Sequence, residues 1–94
     1  MTDLTTKELR DLKARAHHLK PVVTVADKGI TENIKAAVDE ALEVHELIKV
    51  RVRGADRDSR TAIMDELVSL SGAAKIGAIG GIVILYRKSE TNDG

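Results

Sequence analysis

The sequence predicts an α/β (α+β) two-layer sandwich in which three helices accompany a four-stranded mixed sheet, in the order αβαβαββ. Three observations carry this prediction. Apolar residues recur at helical spacing in three separate stretches. Apolar and polar residues alternate from Leu47 to Arg53. A Gly80-Gly81 pair divides two short β-prone runs near the end of the chain. Ninety-four residues leave room for one domain and a core of modest size.

Leu9, Leu12, Ala16 and Leu19 fall at i, i+3, i+7 and i+10, one stripe of an amphipathic helix from about Thr5 to His18. Pro21 cannot continue that helix. It opens a strand over Val22 to Val25, where its missing N–H does least harm. Gly29 marks a turn, Thr31 is placed as an N-cap, and Glu32 lies in the first turn of the second helix. Ile34, Val38, Ala41, Leu42 and His45 share one face of this helix, which ends near Glu46. In the next segment Ile48, Val50 and Val52 point one way and Lys49, Arg51 and Arg53 the other, a half-buried strand broken by Gly54. Asp56 or Asp58 caps the third helix, with Ile63, Met64, Leu67 and Leu70 inward and Ser71-Gly72 as its stop. Lys75 to Ile79 and Ile82 to Tyr86 then form a hairpin. Two strand–helix–strand connections favour parallel or mixed pairing with right-handed crossovers. Because the second strand is polar on alternate residues, helices are expected on one sheet face and none on the other.

Fifteen Lys and Arg balance fifteen Asp and Glu, a total that argues against a histone-like or tail-driven nucleic-acid binder. Tyr86 is the only aromatic residue, which excludes the multi-ring base-stacking platforms of single-strand binders. The lack of cysteine excludes disulfides, zinc ribbons and thiol nucleophiles and fits a reducing compartment. Met1-Thr2-Asp3-Leu4 has no signal-peptide layout, and the apolar run from Ile76 to Leu85 is about half of what a membrane helix needs. The expectation is a soluble cytoplasmic protein. The even charge total is unevenly distributed: residues 31–46 carry one cation and five anions, whereas residues 47–60 carry five cations and two anions. Such blocks place a basic and an acidic face on one small globule.

Leu19-Lys20-Pro21-Val22-Val23, Gly29-Ile30-Thr31-Glu32, His45-Glu46-Leu47-Ile48-Lys49-Val50, and Ile79-Gly80 followed by Leu85-Tyr86-Arg87 occur in this order. Together they resemble the YhbY/CRM-domain family, the chloroplast RNA splicing and ribosome maturation domain. The resemblance covers about Leu4 to Arg87. It implies a fold like that of the C-terminal domain of a bacterial translation initiation factor, with residues 1–87 as a single CRM (YhbY-like) domain; residues 88–94 are polar and read as a flexible tail. It further implies association with ribosomal RNA in precursors of the large ribosomal subunit, and RNA binding through a GxxG-type loop between the first strand and second helix.

That loop reads Ala26-Asp27-Lys28-Gly29, with Ala in place of the first glycine. A Cβ at Ala26 hinders close approach to phosphate, and Asp27 repels it if it points the same way; Lys28, Gly29 and the N–H groups opening the second helix remain usable. A plain strand-to-helix turn would look the same. Three further cation groups compete for the RNA. Lys7 and Arg10 lie opposite the apolar stripe of the first helix, with Lys13 beside them, although a solvated helix face has the same pattern. Lys20 stands at the helix-to-strand corner beside the loop. Lys49, Arg51 and Arg53 are the densest same-face cluster, at roughly 6.5–7 Å per pair of residues, comparable to a phosphate repeat. Charges that guard an edge strand against self-pairing are the alternative. Arg87, with Lys88, extends either surface.

Asp39, Glu40, Glu43 and Glu46 form an acidic stretch on the second helix, read as a solvated face or as a docking site for a basic ribosomal protein. Tyr86 is read as packed at the core edge. His17 and His18 point about 100° apart and have no third ligand, so neither metal nor cofactor is expected. No nucleophile with a base, P-loop or paired carboxylate motif suggests catalysis. The sequence thus reads as a monomeric, non-enzymatic RNA-binding protein that recognises phosphates and shape in ribosomal RNA during large-subunit assembly. The alternative is a protein-interaction module docking on ribosomal proteins or a maturation factor through the acidic helix and open sheet.

Overall fold

The computed structural model describes residues 4–26, 28–54 and 56–89. Seven elements follow in the expected order: α1 (Thr6–Ala16), β1 (Pro21–Val25), α2 (Glu32–His45), β2 (Leu47–Val52), α3 (Arg57–Ser71), β3 (Ala74–Ile79) and β4 (Ile82–Tyr86). Each helix starts on a side chain that satisfies one of its orphan N–H groups. Thr5 and Glu8 form a reciprocal capping box, with both bonds at 3.1 Å. Thr31 Oγ1 accepts from the Ile34 N–H at 3.2 Å, and Asp56 Oδ1 accepts from the Ser59 N–H at 2.8 Å. Gly72, at φ 70°, ends α3 in the left-handed conformation that glycine tolerates best.

The strands pair in the order β1-β2-β4-β3. β1 runs parallel to β2, and β4 runs antiparallel to both β2 and β3. β2 is therefore an interior strand, and the edge-guarding reading of its charges does not apply. The edges are β1, opened by Pro21, and β3.

Two apolar clusters lie on opposite sides of this sheet. On one side Ile48, Val50 and Val52 of β2 join Val83 and Leu85 of β4 beneath Val38, Leu42, Met64 and Leu67 of α2 and α3. On the other, Leu47, Ile76 and Ile84 pack against Leu12 and Ala16 of α1, with Leu9, Leu19 and Tyr86 at the margin. The second face is thus partly covered rather than open. Strand alternation turns Leu47 and Ile84 away from α2 and α3, and the α1 stripe is what buries them. Leu70 departs from its inward expectation and is 43% exposed. The buried stripe of α3 runs through Met64, Leu67 and Ser71, and Leu70 stands one position off it. Buried Ser71 donates to Leu67 O and accepts from the Ala73 N–H, so its hydroxyl is satisfied. His45, in the last turn of α2, is exposed rather than on the apolar face.

The acidic face of α2 is not simply solvated. Arg87, just past β4, donates to Asp39 Oδ1 (3.1 Å), Asp39 O (3.1 Å), Glu43 Oε1 (3.5 Å) and Ser71 O (2.7 Å), and its side chain is only 23% exposed. Ser89, 2% exposed, donates through its N–H to Glu46 Oε2 and through Oγ to Glu43 Oε2. Glu46 itself has φ 63°, a strained value for a residue with a side chain. Its N–H donates to Leu42 O and its carbonyl accepts from the Arg87 N–H, which holds it there. Spacing at i, i+4 puts Asp39 and Glu43 on one α2 stripe, and Glu46 follows as the cap of that helix, where the exit of β4 reaches all three. Ordered structure therefore continues beyond residue 87 to Ser89, and the rest of the expected tail lies outside the described residues. Among the described residues no helix is long and apolar enough to cross a membrane.

Arg87→Met keeps an apolar stem but leaves Ser71 O and the Asp39 carboxylate without their donor. Urea denaturation should show a loss of about 1–3 kcal/mol; unchanged stability would remove Arg87 from the structural role given to it. A Cβ on Gly81 would lie 2.8 Å from Val52 O, whereas one on Gly80 meets open space at φ 59°. Thermal denaturation should therefore place Gly81→Ala below Gly80→Ala in Tm, because the first must displace backbone and the second only strains a turn.

Candidate functional site

Three depressions ring the β3–β4 hairpin, and each carries cations. The first is a groove of about 320 Å³ with Lys13 and Ala16 of α1 and its C-cap His17 on one side and Lys49, Gly77, Ile79, Ile82 and Ile84 of the sheet below. The second gathers Arg51, Arg53 and Arg60 around Gly54 and Gly81. The third gathers Arg57, Arg60 and Lys75 beside Gly80. Ile82 borders the first and second, and Arg60 the second and third, so the cations form one continuous belt.

The placement of each cation follows from local structure. Alternation along β2 puts Lys49 and Arg51 on the α1 side, directly across from Ile84 and Ile82 of β4. Arg53 lies just beyond β2, where its N–H donates to Val25 O at 2.8 Å and holds it at the sheet end. Arg60 reaches the same end from the first turns of α3. Its Nη1 donates to Gly54 O at 3.4 Å, and its Cγ lies 3.0 Å from where a Cβ on Gly54 would stand. Gly54 thus gives the arginine stem its path. The Asp56 cap brings one carboxylate into this region. The Ser59 backbone N–H, then the Ser59 side chain and the charge on Arg60, hold its carboxyl below the ordinary value of 3.8. Lys75 faces Asp65 at 3.9 Å with both groups exposed, a pairing worth little in water.

The predicted residues divide into several places. Lys13 and Lys49, from separate elements, share the groove, and Arg51 and Arg53 share the adjoining hollow. Lys7 and Arg10 are exposed on α1, upstream of Lys13, and line none of the three depressions. The loop after β1 closes as a turn, with the Gly29 N–H donating to Ala26 O at 2.9 Å and Gly29 at φ 88°. Lys28 is exposed there, and the loop follows Val25, which pairs with Val52 next to Arg53. Of the N–H groups expected to serve the loop, that of Ile34 is taken by Thr31. Asp27 lies outside the described residues.

Two placements differ from expectation. Lys20 is not beside the loop: it precedes β1 while the loop follows it, about 20 Å away at the rise of a strand. Arg87 does not extend a basic surface, because Asp39, Glu43 and Ser71 hold its guanidinium on the α2 side. Conversely, Arg57 and Arg60 belong to the belt although neither stood out as a site residue. Their signal was the cation-rich block of residues 47–60. Only the packing of α3 brings its first turns to the hairpin. His17 lines the groove, and among the described residues no group of three or more His, Cys, Asp or Glu could hold a metal ion. Chemically the belt offers fixed positive charge to an extended polyanion.

Comparison with known proteins agrees with this architecture. Residues 4–87 match the model of the CRS1 / YhbY (CRM) domain. The chain is 48% identical over 90 residues to an RNA-binding protein of Haemophilus influenzae, covering 96% of this chain and 91% of that one. A probable RNA-binding protein of Pseudomonas aeruginosa is 43% identical over 86 residues, covering 92% and 83%. The solution structure of a hypothetical Staphylococcus aureus protein thought to bind RNA superposes with a TM-score of 0.81 at 32% identity, over 97% of this chain and 95% of that one. With element order, sheet and nearly the full length in agreement, the chain belongs to the CRS1 / YhbY (CRM) domain family.

Proposed function

We propose that this protein binds structured RNA through the cation belt around the β3–β4 hairpin, and that it acts on ribosomal RNA during assembly of the large ribosomal subunit. The observation that carries the reading is the convergence of Lys13, Lys49, Arg51, Arg53, Arg57 and Arg60 on linked depressions, while Arg87 holds Asp39 and Glu43 of α2. The RNA-binding names of the Haemophilus influenzae and Pseudomonas aeruginosa relatives support RNA as the polyanion. The resemblance to the family supplies the ribosomal context.

On this reading phosphates lie along the belt, and Lys28 with Gly29 extends the contact at the same end of the sheet. Lys7 and Arg10 lengthen it along α1. Fixed cations on a rigid sheet recognise backbone spacing and shape, with little readout of base edges. The protein works in the cytoplasm as a monomer, without catalysis or cofactor. Docking on ribosomal proteins through the acidic helix is less well supported, because Arg87 and Ser89 already engage Asp39, Glu43 and Glu46.

About four to six phosphate contacts predict that affinity for a ribosomal RNA fragment falls about 10²-fold or more between ~50 and ~200 mM salt. Replacing Arg53 and Arg57 together by Gln should lower the salt slope by about two, while Lys35→Gln on α2 leaves it unchanged. Flat salt dependence would reject the phosphate mechanism. In sedimented cell extract the protein should travel with large-subunit precursors at low salt; a free peak at every salt concentration would reject the assembly role.

A further inference from the structure

We propose that the groove between α1 and the β3–β4 hairpin receives one unpaired nucleotide of the bound RNA, with its base on the apolar floor and its phosphates on the cationic rim. This inference rests on the RNA-binding reading above and adds what part of the RNA is recognised.

The floor is apolar where a pure phosphate-binding surface needs no such character. Ile79 is 75% exposed, and half-buried Ile82 leads from it down to Ile84, which is buried where the groove meets α1. The pairings Ile79 with Ile82 and Gly77 with Ile84 set these residues side by side across β3 and β4. Gly77 keeps the floor low: a Cβ there would meet Lys13 Cε at 3.6 Å and Ile84 Cδ1 at 4.0 Å, so the Lys13 stem reaches over bare backbone. The rim carries Lys13, His17 and Lys49, and among the described residues no carboxylate lines the groove.

A paired RNA helix offers phosphates but hides its base faces, so it cannot use this floor. A bulged or looped-out nucleotide presents a flat apolar ring with a phosphate on either side, which matches the floor and rim together. The groove, at about 320 Å³, is at the small end of ligand sites, which run from ~300 to ~1,000 Å³, so it suits a single ring better than a peptide helix. Continuity argues the same way. Ile82 also borders the Arg51–Arg53–Arg60 hollow, so a backbone leaving the groove passes directly onto arginines. Contact with aliphatic side chains recognises any base, and the selectivity is therefore for unpaired structure over sequence.

The test compares two RNA duplexes of equal length, one fully paired and one carrying a single bulged nucleotide. Burying one face of a base on an aliphatic floor should make the bulged duplex bind about 10-fold more tightly, and in NMR titration it alone should shift the Gly77 amide and the Ile79 and Ile82 methyls strongly. Gly77→Leu, which fills the groove, and Ile82→Ser, which strips its floor, should each abolish the preference while leaving salt-dependent binding to the paired duplex. Equal affinity of the native protein for both duplexes overturns the proposal, as does a preference that survives both variants. Shifts of the same methyls by a Glu/Leu peptide but not by bulged RNA would assign the groove to a protein partner and overturn it too. Loss of binding to every RNA would instead reject the RNA-binding reading itself.

Discussion

Strand β2 is paired on both sides, so its side chains have only two directions to take. Ile48, Val50 and Val52 go to the core under α2 and α3; Leu47, Lys49 and Arg51 go to the opposite face. This division organises the rest of the molecule. Leu47 requires cover and obtains it from α1, while Lys49 and Arg51 require water and keep the adjoining part of that face clear. α1 therefore stops short as a wall beside an uncovered floor, and the groove is the step between them. A one-residue slip of β2 would send its cations into the main core, so the register of the central strand is strongly specified.

A second constraint is electrical. The chain is neutral as a whole, but its charges are sorted by element. α2 collects carboxylates on one stripe, and Arg87 and Ser89 from the end of the chain satisfy them. Among the described residues, the cations of β2 and the start of α3 have no ion pair like that of Arg87 and surround the hairpin instead. Net charge thus says little about this protein, since its acids and bases serve different ends of the fold. Ser71 belongs to the same arrangement: its carbonyl accepts from Arg87, which ties the last turn of α3 to α2 and the exit of β4.

Much of this was legible in the residues. The stripe Leu9–Leu12–Ala16, the alternation of β2, the Thr31 cap and the Gly80-Gly81 turn are local patterns with local causes and appear as expected, and of the two caps open for α3, Asp56 or Asp58, the structure selects Asp56. The site was only partly legible. Lys49, Arg51 and Arg53 stood out through alternation alone, and Lys13 as a neighbour of the helically spaced Lys7 and Arg10. That Lys13 and Lys49 meet in one groove depends on α1 crossing the second face, which no local pattern encodes. Lys20 and Lys28 are close in sequence yet sit at opposite ends of β1, because a strand moves its residues apart faster than any other element.

The sequence by itself determined the element order, the Thr31 cap, the turns and which residues of β2 face water, because each depends on periodicity and on the chemistry of neighbouring residues. Tertiary structure alone decided that β2 is interior, that α1 half-covers the second face, that Arg87 joins the acidic helix and that Arg57 and Arg60 join the basic belt. Those outcomes come from contacts between residues far apart in the chain. They depend on which apolar surfaces each element has left to bury, and that balance exists only once all seven elements are packed together.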